Sequence, residues 1–368
     1  MNVVELKRIV QRALVAFDPV LSLVLMVLLV ISAMTVYSAG VDYPGRFEAH
    51  VRNMVIAVLV CWAAANLPAN WMRGAAVPLY VFGIVLLIAV ALFGDVSKGA
   101  RRWLNLGFTR IQPSELLKIA TPLMLAWWFH RREGLLRAGD FLLAAGLLLI
   151  PTWLIARQPD LGTAVLVFAA GAYVIFFAGL PWRVLGALSL VIGAATPLLW
   201  WGMHDYQRQR ILTLIDPTSD PLGKGFHIIQ STIAVGSGGL WGKGWLQGTQ
   251  AHLEFIPEST TDFVFAVFAE EFGLVGNLLL VLLYFAFISR GLMIAAAGAT
   301  LFLRLLAGAI TMIFFTYAFV NMGMVSGILP VVGVPLPWMS YGGTAMVTLG
   351  LGAGLLMSIH RQRKLMQT

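Results

Sequence analysis

Long apolar runs separated by short polar segments fill most of the chain. A helix needs about twenty apolar residues to cross the hydrocarbon core of a bilayer, and by that measure the pattern predicts about ten membrane-spanning helices. The predicted spans lie near residues 20–39, 53–67, 75–93, 115–130, 141–156, 161–180, 184–202, 263–289, 305–325 and 338–359. Because transmembrane strands would instead alternate in polarity over about ten residues, the pattern indicates an all-α, polytopic membrane protein.

The composition supports this class. Hydrophobic residues make up 59% of the 368 residues and charged residues 11%, whereas soluble domains carry roughly 25% charged residues. Much of the net charge of +8 lies in short segments between apolar runs, where Lys and Arg set topology and contact anionic lipid. We therefore expect membrane lipid, and no nucleic acid, as a partner. Cys61 is the only cysteine, which excludes an intrachain disulfide.

The distribution of Lys and Arg predicts the orientation of the chain. These residues are enriched in short cytoplasmic loops, which places the N-terminus (residues 1–18) and the C-terminus (residues 360–368) in the cytoplasm. Residues 203–262 then form a large loop on the outer face, between the seventh and eighth spans, and residues 1–368 form one transmembrane domain. This loop and the outer segment 94–114 are also basic, so their cations need a purpose other than topology.

Ionisable residues at the depth of the membrane are costly, and they mark functional sites by default. Glu115 and Lys118 lie one turn apart at the start of the fourth span. They form either an ion pair within the helix or an acid and a base that line an outward cavity. Asp160 lies in a polar turn between two spans, where it is a candidate N-cap residue.

Eight cations lie on the predicted outer segments. They are Lys98, Arg101, Arg102, Arg110, Arg208, Arg210, Lys224 and Lys243. Arginine binds phosphate oxygens in bidentate fashion, and lysine acts as a point charge. A diphosphate-linked lipid headgroup would suit these residues, and simple attraction to anionic lipid is the alternative.

Two carboxylates lie where the long outer loop meets the eighth span. Asp262 directly precedes this span, and Glu258 lies four residues earlier. A lone aspartate before a helix is commonly an N-cap residue. A general base, however, needs a carboxylate whose basicity is raised by partial desolvation, and the mouth of an apolar bundle supplies this. Both interpretations of Asp262 remain open from the residues alone.

Long, ordered motifs carry a resemblance to a known family. They include Gly-Ala-Arg-Arg-Trp at 99–103, Gln-Pro-Ser-Glu at 112–115, Gln-Pro-Asp-Leu-Gly-Thr at 158–163, Phe-Ile-Pro-Glu-Ser-Thr-Thr-Asp-Phe at 255–263 and Ser-Tyr-Gly-Gly at 340–343. With these motifs the chain resembles the SEDS family (shape, elongation, division and sporulation) over nearly its whole length. The similarity is greatest to the members that serve rod elongation.

The resemblance implies a function and a site. SEDS proteins of this kind join the disaccharide units of lipid II through β-1,4 bonds and release undecaprenyl diphosphate. They work with a cognate class B penicillin-binding protein and other membrane proteins of the rod complex. The essential acidic residue of the family falls on Asp262. Its conserved polar positions fall on Arg102, Glu115, Lys118, Asp160, Arg210 and Lys243.

We add Glu258 to the candidate substrate-binding residues because it lies close to Asp262 in a chain with few charges. A divalent cation, Mg²⁺ or Mn²⁺, is a candidate cofactor that would help to stabilise the leaving diphosphate, and no organic cofactor is expected. The glycines and prolines at 323–343 predict broken backbone, which a bilayer tolerates only where protein buries it.

Two other classes of function remain as alternatives to a glycosyltransferase. A lipid II flippase would use the same cations and apolar grooves, but the sequence shows no inverted repeats of the kind found in many transporters. A non-catalytic scaffold for wall-synthesis enzymes would not need so many costly polar residues around one outer mouth.

Overall fold

The structure is a computed structural model, and it describes residues 17–41, 43–97, 100–105, 110–134, 136–203, 205–220, 224–253, 255–256 and 258–366. Most of the predicted cytoplasmic N-terminus and the last two residues of the C-terminus lie outside the described residues. Lys98 of the predicted cation set lies outside them as well.

The described residues form ten helices of 17 or more residues, which match the ten predicted spans. With three shorter helices they are α1 (Pro19–Ala39), α2 (Arg46–Ala65), α3 (Ala69–Phe93), α4 (Pro113–Arg131), α5 (Ala138–Ala156), α6 (Leu161–Phe177), α7 (Trp182–Gly202), α8 (Asp205–Ile215), α9 (Lys224–Ser237), α10 (Thr249–His252), α11 (Val264–Ala296), α12 (Leu301–Val325) and α13 (Gly343–Met366). The predicted all-α, polytopic class is confirmed.

Length and hydropathy distinguish these helices. Seven of them, α1, α2, α3, α5, α11, α12 and α13, are long and apolar enough to cross a membrane, and α6 and α7 contain shorter apolar helices. Helix α4 carries Glu115 and Lys118 in its first two turns and lies in the centre of the bundle, packed against α3, α6 and α12. The side chains of Glu115 and Lys118 are therefore covered by protein instead of lipid.

A small antiparallel sheet precedes α4. Its strands are β1 (Asp95–Ser97), β2 (Ala100–Asn105) and β3 (Arg110–Ile111), in the order β1-β2-β3. Asp95 pairs with Trp103, and Leu104 pairs with Ile111. The sequence pattern did not predict this sheet, because strands of two to six residues are too short to show a periodicity. The sheet carries Arg102 towards the start of α6.

The described residues of the long segment 203–262 are folded. They form α8, a 3-10 turn at Pro217–Ser219, α9 and α10, and α9 packs against α11 and α12. Apolar residues such as Ile228, which is buried, provide this contact. The described part of the predicted large loop therefore consists mainly of short helices, of which α9 and α10 contact the bundle.

Helix α11 is broken at Gly273, whose φ of 61° lies in the left-handed region. The turn at 239–244 fills the break: Leu274 N donates to Gly239 O at 2.9 Å, and Lys243 N donates to Glu270 O at 3.0 Å. A Cβ atom at residue 273 would lie 2.3 Å from Gly242 N. The break is stable because the turn binds backbone groups that a regular helix would pair internally.

Asp18 is a buried acid that joins three helix ends. It caps α1 by accepting a hydrogen bond from Leu21 N at 3.0 Å. Arg290 in α11 donates Nη2 to Asp18 Oδ2 at 2.6 Å, and His360 Nε2 in α13 lies 3.3 Å from the same oxygen. Burial raises the pKa of Asp18, but the hydrogen bonds from Arg290 and Leu21 N, with the Arg290 and His360 charges, hold that pKa below its usual value.

The chain between α12 and α13, residues 326–342, is not helical. This confirms the predicted broken backbone, and α13 consequently begins at Gly343 and not at residue 338. The 326–342 segment is held by side chains: Tyr284 Oη donates to Pro337 O at 2.6 Å, and Leu336 N donates to Ser340 Oγ at 2.8 Å. Its polar backbone is thus bonded within the protein.

Candidate functional site

Asp262 lies just before α11, and its main chain is fixed by α12. The N-cap position of α11 is Phe263, so the interpretation of Asp262 as the helix cap is wrong. Asn321 Nδ2 donates to Asp262 O at 2.8 Å and to Val334 O at 2.7 Å. Asn321 is fully buried, while Asp262 is half-buried. The segment before α11 and the 326–342 segment are therefore bonded to the same side chain.

The 326–342 segment also links Asp262 to Asp160. A Cβ atom at Gly333 would lie 3.2 Å from Asp262 Oδ2. One residue earlier, Val332 O lies 2.5 Å from the position of a Cβ atom at Gly162, two residues beyond Asp160. Residues 332–334 thus extend from the start of α6 to the Asp262 carboxylate, and they bring two of the predicted polar positions to one region.

Asp160 gathers several of the predicted residues at the start of α6. Its Oδ1 accepts from Thr163 N at 3.2 Å, which confirms the N-cap interpretation, and its Oδ2 accepts from Gln112 Nε2 at 2.9 Å. Arg102 Nη1 lies 4.0 Å from Asp160 Oδ1, and Arg102 Nη2 donates to Pro159 O at 2.5 Å. The Arg102 side chain remains 33% exposed, so part of this side chain is accessible from outside the protein.

Glu115 and Lys118 form the predicted ion pair inside the bundle. Lys118 Nζ donates to Glu115 Oε1 at 2.6 Å and to Tyr317 Oη at 2.5 Å. Both charged residues are buried, and a buried charge needs such partners because its desolvation is expensive. Lys118 and Tyr317 line a small cavity together with Thr348.

Helix α12 connects this ion pair to Asp262. Tyr317, which bonds Lys118, and Asn321, which bonds the main chain of Asp262, lie four residues apart in α12. Residues with this spacing lie on the same helix face. One face of α12 therefore contacts both parts of the site. Lys118 bonds to one turn of this helix, and the main chain of Asp262 bonds to the next turn.

Lys243 does not join this group. Its Nζ donates to Glu270 Oε1 at 2.6 Å, and Glu270 is fully buried in α11. The same carboxylate oxygen accepts from Thr249 N at 2.9 Å and from Gln250 N at 3.1 Å. In this structure Lys243 holds the turn that fills the break in α11, and its role in substrate binding stays a prediction.

The remaining predicted residues lie in the folded outer segment. Arg210 is half-buried in α8. Glu258 is exposed, has a φ of 56°, and accepts from Thr261 Oγ1 at 3.0 Å. Their roles in substrate binding stay predictions.

Three residues near Asp262 were not predicted as site residues. Asn321 is one; it is a polar residue inside an otherwise apolar span, which is a signal that the sequence offered. Arg46 donates Nη1 to Thr260 Oγ1 at 2.7 Å. The His227 ring stacks on Phe263 with centroids 5.6 Å apart. Burial lowers the pKa of His227 below its usual value, and the charge of Glu258 opposes this shift.

The comparisons with known proteins agree with this architecture. The family model of the FtsW, RodA and SpoVE cell cycle proteins matches residues 13–365. The peptidoglycan glycosyltransferase MrdB of Escherichia coli K12 is 51% identical over 353 residues, which cover 96% of this chain and 95% of that protein.

Solved structures match as well. A chain from a peptidoglycan synthase complex that coordinates polymerization and crosslinking is 34% identical, with a TM-score of 0.81 over 94% of this chain and 98% of that one. The rod shape determining protein RodA of Thermus thermophilus is 29% identical, with a TM-score of 0.72 over 94% of this chain and 97% of that one.

Proposed function

The chain belongs to the FtsW, RodA and SpoVE family of cell cycle proteins, and we propose that it is a peptidoglycan glycosyltransferase of a bacterial inner membrane. It joins lipid II units through β-1,4 bonds for cell elongation and rod shape. The observation that carries this proposal is the half-buried Asp262, which residues 332–334 connect to the start of α6 and which α12 connects to the Glu115–Lys118 pair.

Asp262 acts as the general base. The 4-hydroxyl of the acceptor sugar attacks the anomeric carbon of the donor, and its proton passes to the Asp262 carboxylate. The bond from that carbon to the diphosphate oxygen breaks, and undecaprenyl diphosphate leaves with the electron pair. A positioned base contributes about 10²–10⁴-fold to such a rate.

Arginine and lysine side chains stabilise the leaving diphosphate. Arg102 suits this role best, since Asp160 and Pro159 O orient its guanidinium while part of it stays exposed. Arg210, half-buried in α8, is the second candidate. Donors fixed before the reaction are effective because they need no reorganisation as charge develops.

We also propose that a divalent cation, Mg²⁺ or Mn²⁺, takes part in the reaction, although it would not be bound by protein ligands alone. Among the described residues, no three His, Cys, Asp or Glu side chains come together in a way that could hold a metal ion. Magnesium sites commonly use one or two carboxylates together with substrate phosphates. An assay with EDTA, followed by addition of Mg²⁺ or Mn²⁺, measures whether polymerisation depends on the ion.

We also propose the orientation and the partners. Both termini lie in the cytoplasm and the Asp262 site lies on the periplasmic face, which is supported by the excess of Lys and Arg in the opposite loops. The partner is a cognate class B penicillin-binding protein that crosslinks the new strands, within a larger rod complex. Support comes from the similarity to a chain of a peptidoglycan synthase complex.

The test is polymerisation of labelled lipid II by the purified protein in complex with its transpeptidase. Asp262→Ala and Asp262→Asn should form no polymer above background, while Asp205→Ala should match wild type, because the Asp205 side chain is fully exposed in α8. Thermal unfolding and co-purification with the partner report whether each variant is folded.

The outcomes separate the alternatives. Polymer from wild type and none from the folded Asp262 variants supports the glycosyltransferase. Equal polymer from the Asp262 variants removes that residue from the mechanism. An intact wild-type complex that forms no polymer but moves lipid II across proteoliposomes would favour the flippase, and one that does neither would favour the scaffold.

A further inference from the structure

We infer that Asn321 and Gly333 are positioning residues that set the direction of the Asp262 carboxylate. This inference rests on the proposed role of Asp262 as the base. Neither residue contacts the reacting atoms in our account. Both act through Asp262, one on its main chain and the other beside its side chain.

The Asn321 amide has a defined orientation. Its Nδ2 donates to the carbonyls of Asp262 and Val334 at 2.8 and 2.7 Å. The flipped amide would place Oδ1 against two carbonyl oxygens, which repel it. In the bonded orientation Oδ1 is buried without a partner. A buried acceptor without a partner is unfavourable. The protein keeps this orientation despite that cost, which indicates that the two bonds donated by Nδ2 are the important contacts of this side chain.

These two bonds align segments that are far apart in the sequence. Asp262 precedes α11 by two residues, so no regular helical bonding fixes its main chain, and Asn321 supplies an anchor 59 residues away. The second bond fixes Val334, the neighbour of Gly333. The Asn321 amide therefore fixes Asp262 relative to the 326–342 segment, together with the main-chain bond from Tyr341 N to Thr260 O at 2.8 Å.

Gly333 lies directly beside the carboxylate. With a φ of 73° it has a backbone conformation that other residues rarely adopt. A Cβ atom there would lie 3.2 Å from Asp262 Oδ2, so even one methyl group would push on the carboxylate. The segment is also confined at the preceding residue, because Val332 O lies against Gly162.

The expected effect follows from the geometry of proton transfer. A base must lie within hydrogen-bond reach of the proton that it accepts, and a displacement of about 1 Å can cost roughly 10²-fold in rate. Loss of the Asn321 donor should therefore lower kcat for lipid II polymerisation by about 10²-fold while KM changes by less than about threefold. Gly333→Ala, whose methyl group displaces the carboxylate by only a fraction of that distance, should lower kcat by about tenfold.

The experiment uses Asn321→Leu and Gly333→Ala in the complete protein, bound to its transpeptidase. Leucine keeps apolar bulk at residue 321 but has no donor. Asn277→Leu in α11 is the matched control for the first variant, since Asn277 is half-buried and its Oδ1 also lacks a partner. Gly134→Ala controls for the second, because Gly134 has a φ of 80° with no atom near its Cβ position.

A fall in kcat for both variants, with KM and both controls near wild type, supports the inference. It is overturned if Asn321→Leu keeps the wild-type kcat, if either variant raises KM at unchanged kcat, or if Asn321→Leu fails to fold while Gly333→Ala is fully active. Asp262→Ala in the same assay separates the two proposals. If this variant is active, Asp262 is not the general base. If it is inactive while the Asn321 and Gly333 variants are fully active, only the positioning role of those two residues is contradicted.

Discussion

Replacing Arg290 with methionine would leave Asp18 as a buried carboxylate whose remaining cationic neighbour is His360. The Asp18 side chain is 0% exposed, whereas that of Arg290 is 26% exposed. Removing one partner of a fully buried pair costs about 3–5 kcal/mol, and partial exposure weakens the pair, so we expect a loss of about 2–3 kcal/mol of folding free energy.

Thermal unfolding of the purified protein measures this loss. Each kcal/mol lowers Tm by about 2–4 °C in domains of 150–250 residues and by less in longer chains, so Tm should fall by about 3–6 °C. In an Asp18→Asn background the same substitution should cost much less, giving a coupling energy of about 1–3 kcal/mol. Additive effects of the two substitutions would refute an energetic role for the ion pair.

The pH dependence gives a second check. The folded pKa of Asp18 lies below its usual value, which is about 3.9 in an unfolded chain. Its stabilising contribution is therefore fully present above the unfolded pKa and is lost as the pH falls through the folded pKa. The Tm difference between wild type and Arg290→Met should shrink in that acidic range and stay constant near neutral pH.

Two further substitutions probe the break in α11. Lys243→Met removes the cation beside the buried Glu270 and should destabilise the protein by about 2–3 kcal/mol, a value reduced for the partial exposure of Lys243. Adding Glu270→Gln to this variant should restore most of the lost Tm. If Tm is not restored, the pairing of the two charges does not stabilise the protein. Gly273→Ala places a methyl group 2.3 Å from Gly242 N at a positive φ. It should increase protease cleavage in the 239–244 turn, and unchanged cleavage beside a Gly134→Ala control would show that the contact is dispensable.

Hydropathy predicted the spans well because each span is a local property of the chain. The first predicted span, 20–39, agrees with α1 at Pro19–Ala39. Two local contacts could also be predicted from the sequence, since each joins residues three apart. They are the ion pair of Glu115 and Lys118 and the cap at Asp160. The start of the last span was predicted at residue 338, but the helix begins at Gly343. The difference arises because the extent of the 326–342 segment depends on bonds to residues elsewhere in the chain.

The site was predicted only in part, because its decisive contacts join distant residues. The bond from Asn321 to Asp262 spans 59 positions and that from Lys118 to Tyr317 spans 199. No periodicity reports such pairs. The bond from Lys243 to Glu270 was not predicted for the same reason: the two residues lie 27 positions apart, and the sequence shows the two charges without showing that they meet.

The three helix ends joined at Asp18 have a consequence for the biogenesis of the protein. The ribosome makes Asp18 at the start of the chain, but Arg290 follows 272 residues later. At about 5–20 residues per second, that interval is about 14–54 s. During this time the Asp18 carboxylate can bond Leu21 N in its own helix, but it has neither Arg290 nor His360 beside it. The ion pair that joins the start of α1 to α11 can therefore form only after Arg290 has been made, so this contact belongs to a late step in the assembly of the bundle.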